Sequence, residues 1–448
     1  MTAIFVHPDG TFRPYEDGVG PSTPENIDDL FKSLKETKKN LAIFIHGGLV
    51  TGPHGKDAAD TFDTNFKSEA QTISIVWRSG FWTALEKLLA NTQNYLHTST
   101  IQTKAVALAN QFQNRVVRQA DLDLDTCEKL VVESLSPSDL TQYQQSLRQN
   151  RTRHPNTSTF EGVVWHAVRI VSRVLYRETH HRMHAFGATV EEETLREILS
   201  LIGQDHLGEE IWGEMKNEAA AMWVPENGSS GVNQPVGTYL LTGLNKHIEW
   251  AKAQQIPFRV DLVVHSAGAI VACELFDSLH SPEFNLIKFR NVVFLAPACR
   301  SRKFQTSILP FANSRYESFR LFAMDVHHEK VDHMVQTGLF ERIYPSSLLY
   351  FVSALCEPSD AQGPSLAFAE DFLGDGCILG LMQHRGDGLP YKEFPILRDI
   401  WDFLAIHNHL VLTPTPKTAT IGMRGGAIDH GDFTTDPLIV ESIQYLMR

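Results

Sequence analysis

The chain has 448 residues, 42% hydrophobic and 21% charged, the balance of a globular protein with a large buried core. A formal net charge of -13 argues against a general nucleic-acid binder, and no segment approaches the roughly 20 apolar residues of a membrane span. Five cysteines (Cys127, Cys273, Cys299, Cys356, Cys377) are scattered, odd in number and without metal-ligand spacing. They are expected to be reduced thiols in a cytoplasmic protein; the first ten residues lack the basic and apolar regions of a signal peptide.

Residues 1–82 read as the first part of an α/β core. Ala3 to His7 is an apolar strand closed by the Asp9-Gly10 turn. Ser22-Thr23-Pro24-Glu25 opens a helix, because proline just inside the start and an acid in the first turn suit a helix N-terminus. Ile27, Leu30, Phe31 and Leu34 recur at helical spacing. Asn40 to Ile45 is a buried strand ending in His46-Gly47-Gly48, and Thr72 to Trp77 is another.

Residues 83–235 change character to long helical periodicity, and are expected to form a helical insertion or cap. Val164, Val168, Val171 and Leu175 share one helical face, and Arg169, Arg173 and Arg177 the opposite one. Glu192 to Met222 reads as further helix, with Leu195, Ile198, Leu199 and Ile202 as its apolar stripe.

Residues 236–448 resume the alternation. Thr238 to Gln255 is a helix, and Val260 to Val264 a buried strand that His265-Ser266-Ala267-Gly268 breaks before a second helix. Asn291 to Pro297 and Ser318 to Met324 are strands, the latter ending at Asp325. Ser346 to Cys356 suits helix or strand, Thr418 to Met423 is expected to be the last strand, and Asp436-Pro437 opens a closing helix. Strands alternating with helices predict an α/β fold with a mostly parallel sheet flanked by helices.

A serine at a sharp strand-to-helix turn holds its hydroxyl out of the backbone, beside N–H groups that favour developing negative charge. Ser266 is therefore read as the nucleophile elbow of a serine hydrolase, against an ordinary strand–turn–helix corner. Its hydroxyl needs a base, and the base needs a partner to hold its tautomer. Ligand groups in open parallel sheets gather at the carboxyl ends of the strands. Ser266, Asp325 and the His46-Gly47-Gly48 turn all end predicted strands, and His430 lies on the Gly-rich loop 425–436 before the last helix.

These residues resemble an α/β-hydrolase of the serine lipase/esterase branch: the His-Gly-Gly turn at 46–48, the elbow at 264–268, the acid Asp325 after a later strand, and His430 before the closing helix. The resemblance covers roughly residues 1–82 and 236–448. It implies Ser266 as nucleophile, His430 as general base and then acid, and Asp325 as the orienting carboxylate. It also implies an oxyanion hole from the N–H of Ala267 and of Gly47 or Gly48. The expected reaction is cleavage of a carboxylic ester, such as a lipid or other small-molecule ester, through an acyl-enzyme without metal or organic cofactor. One departure is Val264, where the family usually has glycine two residues before the nucleophile.

Competing residues remain open at this stage. His409, His407 and His384 compete with His430, and Glu329 and Asp332 with Asp325. His327, His328, Asp332 and His333 lack the spacing of a metal site. Arg148, Arg151, Arg153, Arg169, Arg173, Arg177 and Arg182 offer a surface to an anionic partner or membrane, against which stands a solvated, charge-balanced face. Trp165, Trp212 and Trp223 read as acyl-pocket lining or as core. The rival function is a non-catalytic or partner-activated α/β-hydrolase-like protein whose helical insertion mediates protein interactions.

Overall fold

Seven short apolar segments form one all-parallel sheet: β1 (Ala3–Val6), β2 (Leu41–Ile45), β3 (Gln71–Trp77), β4 (Val260–His265), β5 (Phe289–Leu295), β6 (Tyr316–Met324) and β7 (Leu410–Thr413), in the spatial order β1-β3-β2-β4-β5-β6-β7. The computed structural model describes residues 3–14, 22–48, 52–77, 98–113, 122–149, 160–180, 186–201, 207–332, 347–357, 378–381 and 395–448. Nearly every residue of β1 to β5 is buried, as parallel strands covered on both faces require, and β6 and the edge strand β7 are more exposed.

The two-residue period of the strands divides the side chains between two cores. One face (Ile43, Ile45, Leu262, Val264, Phe294, Leu321) packs against helices α1 (Pro24–Thr37), α9 (Val236–Ala253), α10 (Gly268–Ser278), α11 (Ser301–Ser307) and α14 (Pro395–Ile406). The other (Phe44, Val263, Leu295, Phe322, Met324) packs against α2 (Gly52–Phe66) and α15 (Pro437–Met447). Helix α1 starts as expected, with Asn26 Oδ1 accepting from the Thr23 N–H at 2.8 Å. The closing helix starts at Pro437, and Asp436 Oδ1 accepts from the Ile439 N–H at 2.9 Å.

The strand order sets where chemistry can occur. The chain places β3 outside β2, then crosses back over β2 to β4 and runs outward through β5, β6 and β7. The crevice between the carboxyl ends of β2 and β4 is thus the switch point at which open α/β sheets bind ligands. The register pairs Ile45 with Val264, so the His46-Gly47 turn and the His265-Ser266 turn leave the sheet side by side.

The expected last strand is misplaced. Residues 418–423 make turns, with Ala419 N–H donating to Pro416 O and Met423 N–H to Thr420 O, and Gly422 at φ +88°. The strand is Leu410–Thr413, earlier in the chain; it pairs Leu321 with Leu410 through Met324 with Thr413. Four residues at a sheet edge are too short for a periodicity signal to outweigh the threonine-rich run that follows. The ambiguous segment is helical from Leu348 onward: α13 (Leu348–Phe351) continues into a π-turn over Val352–Cys356, and residue 346 lies outside the described residues.

Between β3 and α9 the regular elements among the described residues are chiefly helices: α3 (Thr98–Ala109), α4 (Leu124–Glu133), α5 (Pro137–Gln149), α6 (Phe160–His180), α7 (Phe186–Leu201) and α8 (Leu207–Ala221). Val164, Val168, Val171 and Leu175 of α6 bury against Ile101, Leu108, Val131 and Tyr143 in a core of their own. Helices α7 and α8 instead join the sheet's core through Leu195, Ile198, Leu199, Trp212 and Met215. Residues 202–206 lie outside the described residues, and with them the continuity expected across 192–222.

The arginine face of α6 points inward to partners. Arg177 binds Glu192 and Glu193 at 2.8 Å each, Arg173 binds Glu193 at 2.9 Å and Glu197 at 2.5 Å, and Arg169 lies 3.5 Å from Glu197. All three glutamates are buried on α7. Burial alone raises a carboxyl pKa, yet the arginines hold Glu193 at about 2, and the His166 hydrogen bond, followed by the arginines, holds Glu197 at about 2. The expectation of a docking or solvated face at these three positions is corrected: the charges neutralise a buried helix–helix contact. Arg151, Arg153 and Arg182 lie outside the described residues.

Another buried carboxylate fastens α8 to the residues around the sheet. Glu357 accepts from Trp212 Nε1 at 2.7 Å and from Lys216 Nζ at 2.9 Å, and it also binds Arg300 Nε. Among the described residues no helix is long and apolar enough to cross a membrane.

Candidate active site

The site begins at a strained residue. Ser266 follows β4 directly and adopts φ +53°, in the left-handed region that costs a non-glycine residue about 1 kcal/mol or more. Neighbours hold it there. Its N–H donates to Leu295 O at 2.9 Å, and its carbonyl accepts from Ala269 N–H at 3.1 Å and Ala298 N–H at 3.0 Å. Val264 is fully buried in the sheet, between Ile45 and Phe294, and the turn forms two residues beyond it.

Glycines make room for the elbow. A Cβ on Gly268 would stand 2.5 Å from Ile45 O and 2.8 Å from His46 O, so only glycine lets α10 start this close to β2. A Cβ on Gly47 would stand 2.9 Å from Ser266 Cβ and 3.5 Å from its Oγ. The backbone of Gly47 therefore borders the serine hydroxyl. Ala267, the next residue on the other side, caps α10, its carbonyl accepting from the Ile270 N–H at 2.9 Å. Gly48 is pressed between Trp77 and Met215 of α8.

His46 braces this turn. Its Nε2 accepts from the Trp77 N–H at 3.2 Å, its Nδ1 binds Gly47 O, and its own carbonyl accepts from Trp77 Nε1 at 3.1 Å. Burial drives its pKa down to about 4, so the ring is neutral with the proton on Nδ1.

His430 reaches the serine from the loop after β7. Its Nε2 lies 2.9 Å from Ser266 Oγ. Its N–H donates to Asp332 Oδ2 at 3.1 Å, and its carbonyl accepts from His265 Nε2 at 3.1 Å. Burial, followed by His265, lowers its pKa well below the usual value. Serine O–H donation to Nε2 leaves the proton on Nδ1, which is buried and has no hydrogen-bond partner among the described residues.

Asp325 ends β6 as expected but does not reach that nitrogen. It is the N-cap of α12 (Val326–Val331), and its Oδ1 accepts from His328 N at 2.9 Å and His328 Nδ1 at 2.8 Å. Partial burial pushes its pKa up, and the bonds from His328 outweigh this and lower it. The carboxylate in contact with His430 is Asp332, one helix later. It is 6% exposed, and burial, with Asp429 second, raises its pKa to about 7. Sequence spacing favours the residue directly after a strand, whereas here a helix turn intervenes and brings the later acid inward.

The other candidates separate. His407 and His409 precede β7, at the opposite end of the sheet from Ser266. His384 and His333 lie outside the described residues. Glu329 is fully buried, with Oε1 accepting from Ser347 Oγ at 2.5 Å; burial raises its pKa to about 8, and Asp332 adds to this. Trp212 is core, bonded to Glu357, and Trp223 is buried. Among the described residues no group of three or more His, Cys, Asp or Glu is arranged to hold a metal ion.

Glu329 gives a test of the local electrostatics. Its raised pKa means the folded protein keeps a proton that the unfolded chain releases above about pH 4.5. This group's contribution therefore falls as pH rises from about 4.5 to 8, and the sequestered proton costs roughly 3 kcal/mol at pH 7. Glu329→Gln should raise the urea midpoint at pH 7–8 and leave it nearly unchanged at pH 4. Equal effects at both pH values would contradict a buried neutral carboxyl.

No protein-family model, curated protein or solved structure matches the chain.

Proposed function

We propose that the protein is a serine hydrolase that cleaves carboxylic esters, an α/β-hydrolase of the lipase/esterase kind. The observation that carries this reading is the 2.9 Å contact between Ser266 Oγ and His430 Nε2 at a strained strand–helix turn. Ser266 attacks the ester carbonyl while His430 Nε2 takes its proton. The tetrahedral oxyanion rests on the N–H of Ala267 and of Gly47 or Gly48. The carbonyl reforms as the protonated His430 gives its proton to the departing alcohol, which leaves an acyl-enzyme. Water deprotonated by His430 then attacks the acyl carbon, and Ser266 leaves with the proton returned. Helix α8, with Met215 against Gly48, forms part of a cap beside the acyl site.

Within this reading Asp332, and not Asp325, is the carboxylate that holds His430, through the backbone N–H and not through Nδ1. A carboxylate acts in that role when ionised, and Asp332 ionises near pH 7 because it is buried. His430 is already neutral there. Activity should therefore rise with pH through about 7. Asp332→Asn should loosen the hold on the His430 backbone N–H, lower kcat by roughly 10–100-fold and remove that limb. Asp325→Ala should lose a helix cap, about 1 kcal/mol of stability, with kcat within a few-fold of wild type. A larger kcat loss in the Asp325 variant would reverse the assignment.

The unpartnered His430 Nδ1 supports a second reading, a hydrolase engaged only when a partner completes the site. Fluorophosphonate labelling of the isolated protein separates the two. Modification of Ser266 alone in minutes supports the first, and labelling only with an added partner supports the second.

A further inference from the structure

The loop 425–436 is built from turns, and its hold on His430 comes from outside. Its start is tied to α15, because Asp436 Oδ1 accepts from Gly426 N–H at 2.9 Å. Its centre is held at the two peptide groups of His430, the N–H by Asp332 and the carbonyl by His265. His265 ends β4 and immediately precedes Ser266. Alternation puts it on the same sheet face as Val263, the face covered by α15, into which the loop descends. The two imidazoles lie 5.2 Å apart between centroids.

We propose that His265 is a positioning residue whose Nε2–H fixes the His430 carbonyl and thereby sets the approach of the base to Ser266. This rests on the serine-hydrolase reading. A carbonyl only accepts, so the His265 proton is on Nε2. Burial holds this ring neutral, with its pKa pushed down to about 4, which leaves a single tautomer at neutral pH. The ring has no other place to go: a Cβ on Gly47 would stand 3.3 Å from His265 Nδ1, so the imidazole is wedged between the oxyanion turn and the base loop. One side chain therefore touches the segments that carry nucleophile, base and oxyanion donors. A displacement of about 1 Å at a reacting group costs on the order of 10²-fold in rate, so a single backbone hydrogen bond matters here.

The experiment compares wild type, His265→Leu, His265→Gln and His265→Asn. It measures kcat and KM for p-nitrophenyl esters, the rate of Ser266 labelling by a fluorophosphonate, and thermal unfolding. A glutamine amide reaches about as far as imidazole Nε2, whereas an asparagine amide reaches only as far as Nδ1. His265→Leu should lower kcat and labelling rate by about 10–100-fold with KM within about twofold. His265→Gln should restore both to within about fivefold of wild type, and His265→Asn should stay slow. Wild-type rates in the leucine variant overturn the proposal. So do equal rates in the glutamine and asparagine variants, a comparison that stands even where the leucine variant fails to fold. Absence of Ser266 labelling in wild type would instead overturn the hydrolase reading, and the inference with it.

Discussion

Ser266→Ala should abolish fluorophosphonate labelling and lower ester hydrolysis by roughly 10⁴-fold or more. The hydroxyl lies 2.9 Å from His430 Nε2, and in the proposed reaction it is the group that forms the acyl-enzyme. The residual rate would come from binding and the oxyanion donors. If Ser266 and His430 act as one unit, as proposed, His430→Ala should cost a similar factor, and the double variant should be little worse than either single one. Folding should survive, since alanine and serine bear similar strain at φ +53°. Ser266→Gly should relieve that strain and gain about 1 kcal/mol in urea denaturation while remaining inactive. Full labelling retained in the alanine variant would remove Ser266 from the chemistry.

Glu357→Ala should destabilise the protein by about 3–5 kcal/mol, among the largest effects of any substitution outside the active site. Glu357 is 3% exposed, and its carboxylate receives Trp212, Lys216 and Arg300. Removing it leaves the indole N–H and a largely buried guanidinium without their acceptor, and breaking a buried charge cluster from one side costs far more than the cluster contributes as a whole. Lys216→Ala should cost no more than about 1 kcal/mol, because its side chain is 35% exposed and water replaces the lost partner. Urea denaturation of both variants checks the contrast, and similar losses would refute the burial argument. Trp212 and Lys216 lie on the helix that presses Met215 against Gly48, so hydrolysis should weaken in the Glu357 variant before the protein unfolds.

Sequence alone determined the features that depend on local pattern. Buried strands read as apolar runs because both sheet faces are covered, and six of the seven were visible at Ala3, Leu41, Thr72, Val260, Asn291 and Ser318. Helix starts at Pro24 and Pro437 were legible because capping is a property of four or five consecutive residues. The Ser266 turn was legible for the same reason, as was His430 from its place between the last strand and the closing helix.

Tertiary structure decided whatever depends on which segments meet. The edge strand Leu410–Thr413 is defined by pairing with β6 and carries little pattern of its own. The arginines of α6 looked like a surface, since helical periodicity marks a polar face without revealing the three buried glutamates opposite it. Asp325 and Asp332 are seven residues apart and chemically alike. Only the turn of α12 between them puts one on a helix cap beside His328 and the other, desolvated, against His430. His265 stood in the elbow motif in plain view, but its contact with the carbonyl of His430 spans 165 residues of chain, and no local spacing encodes it.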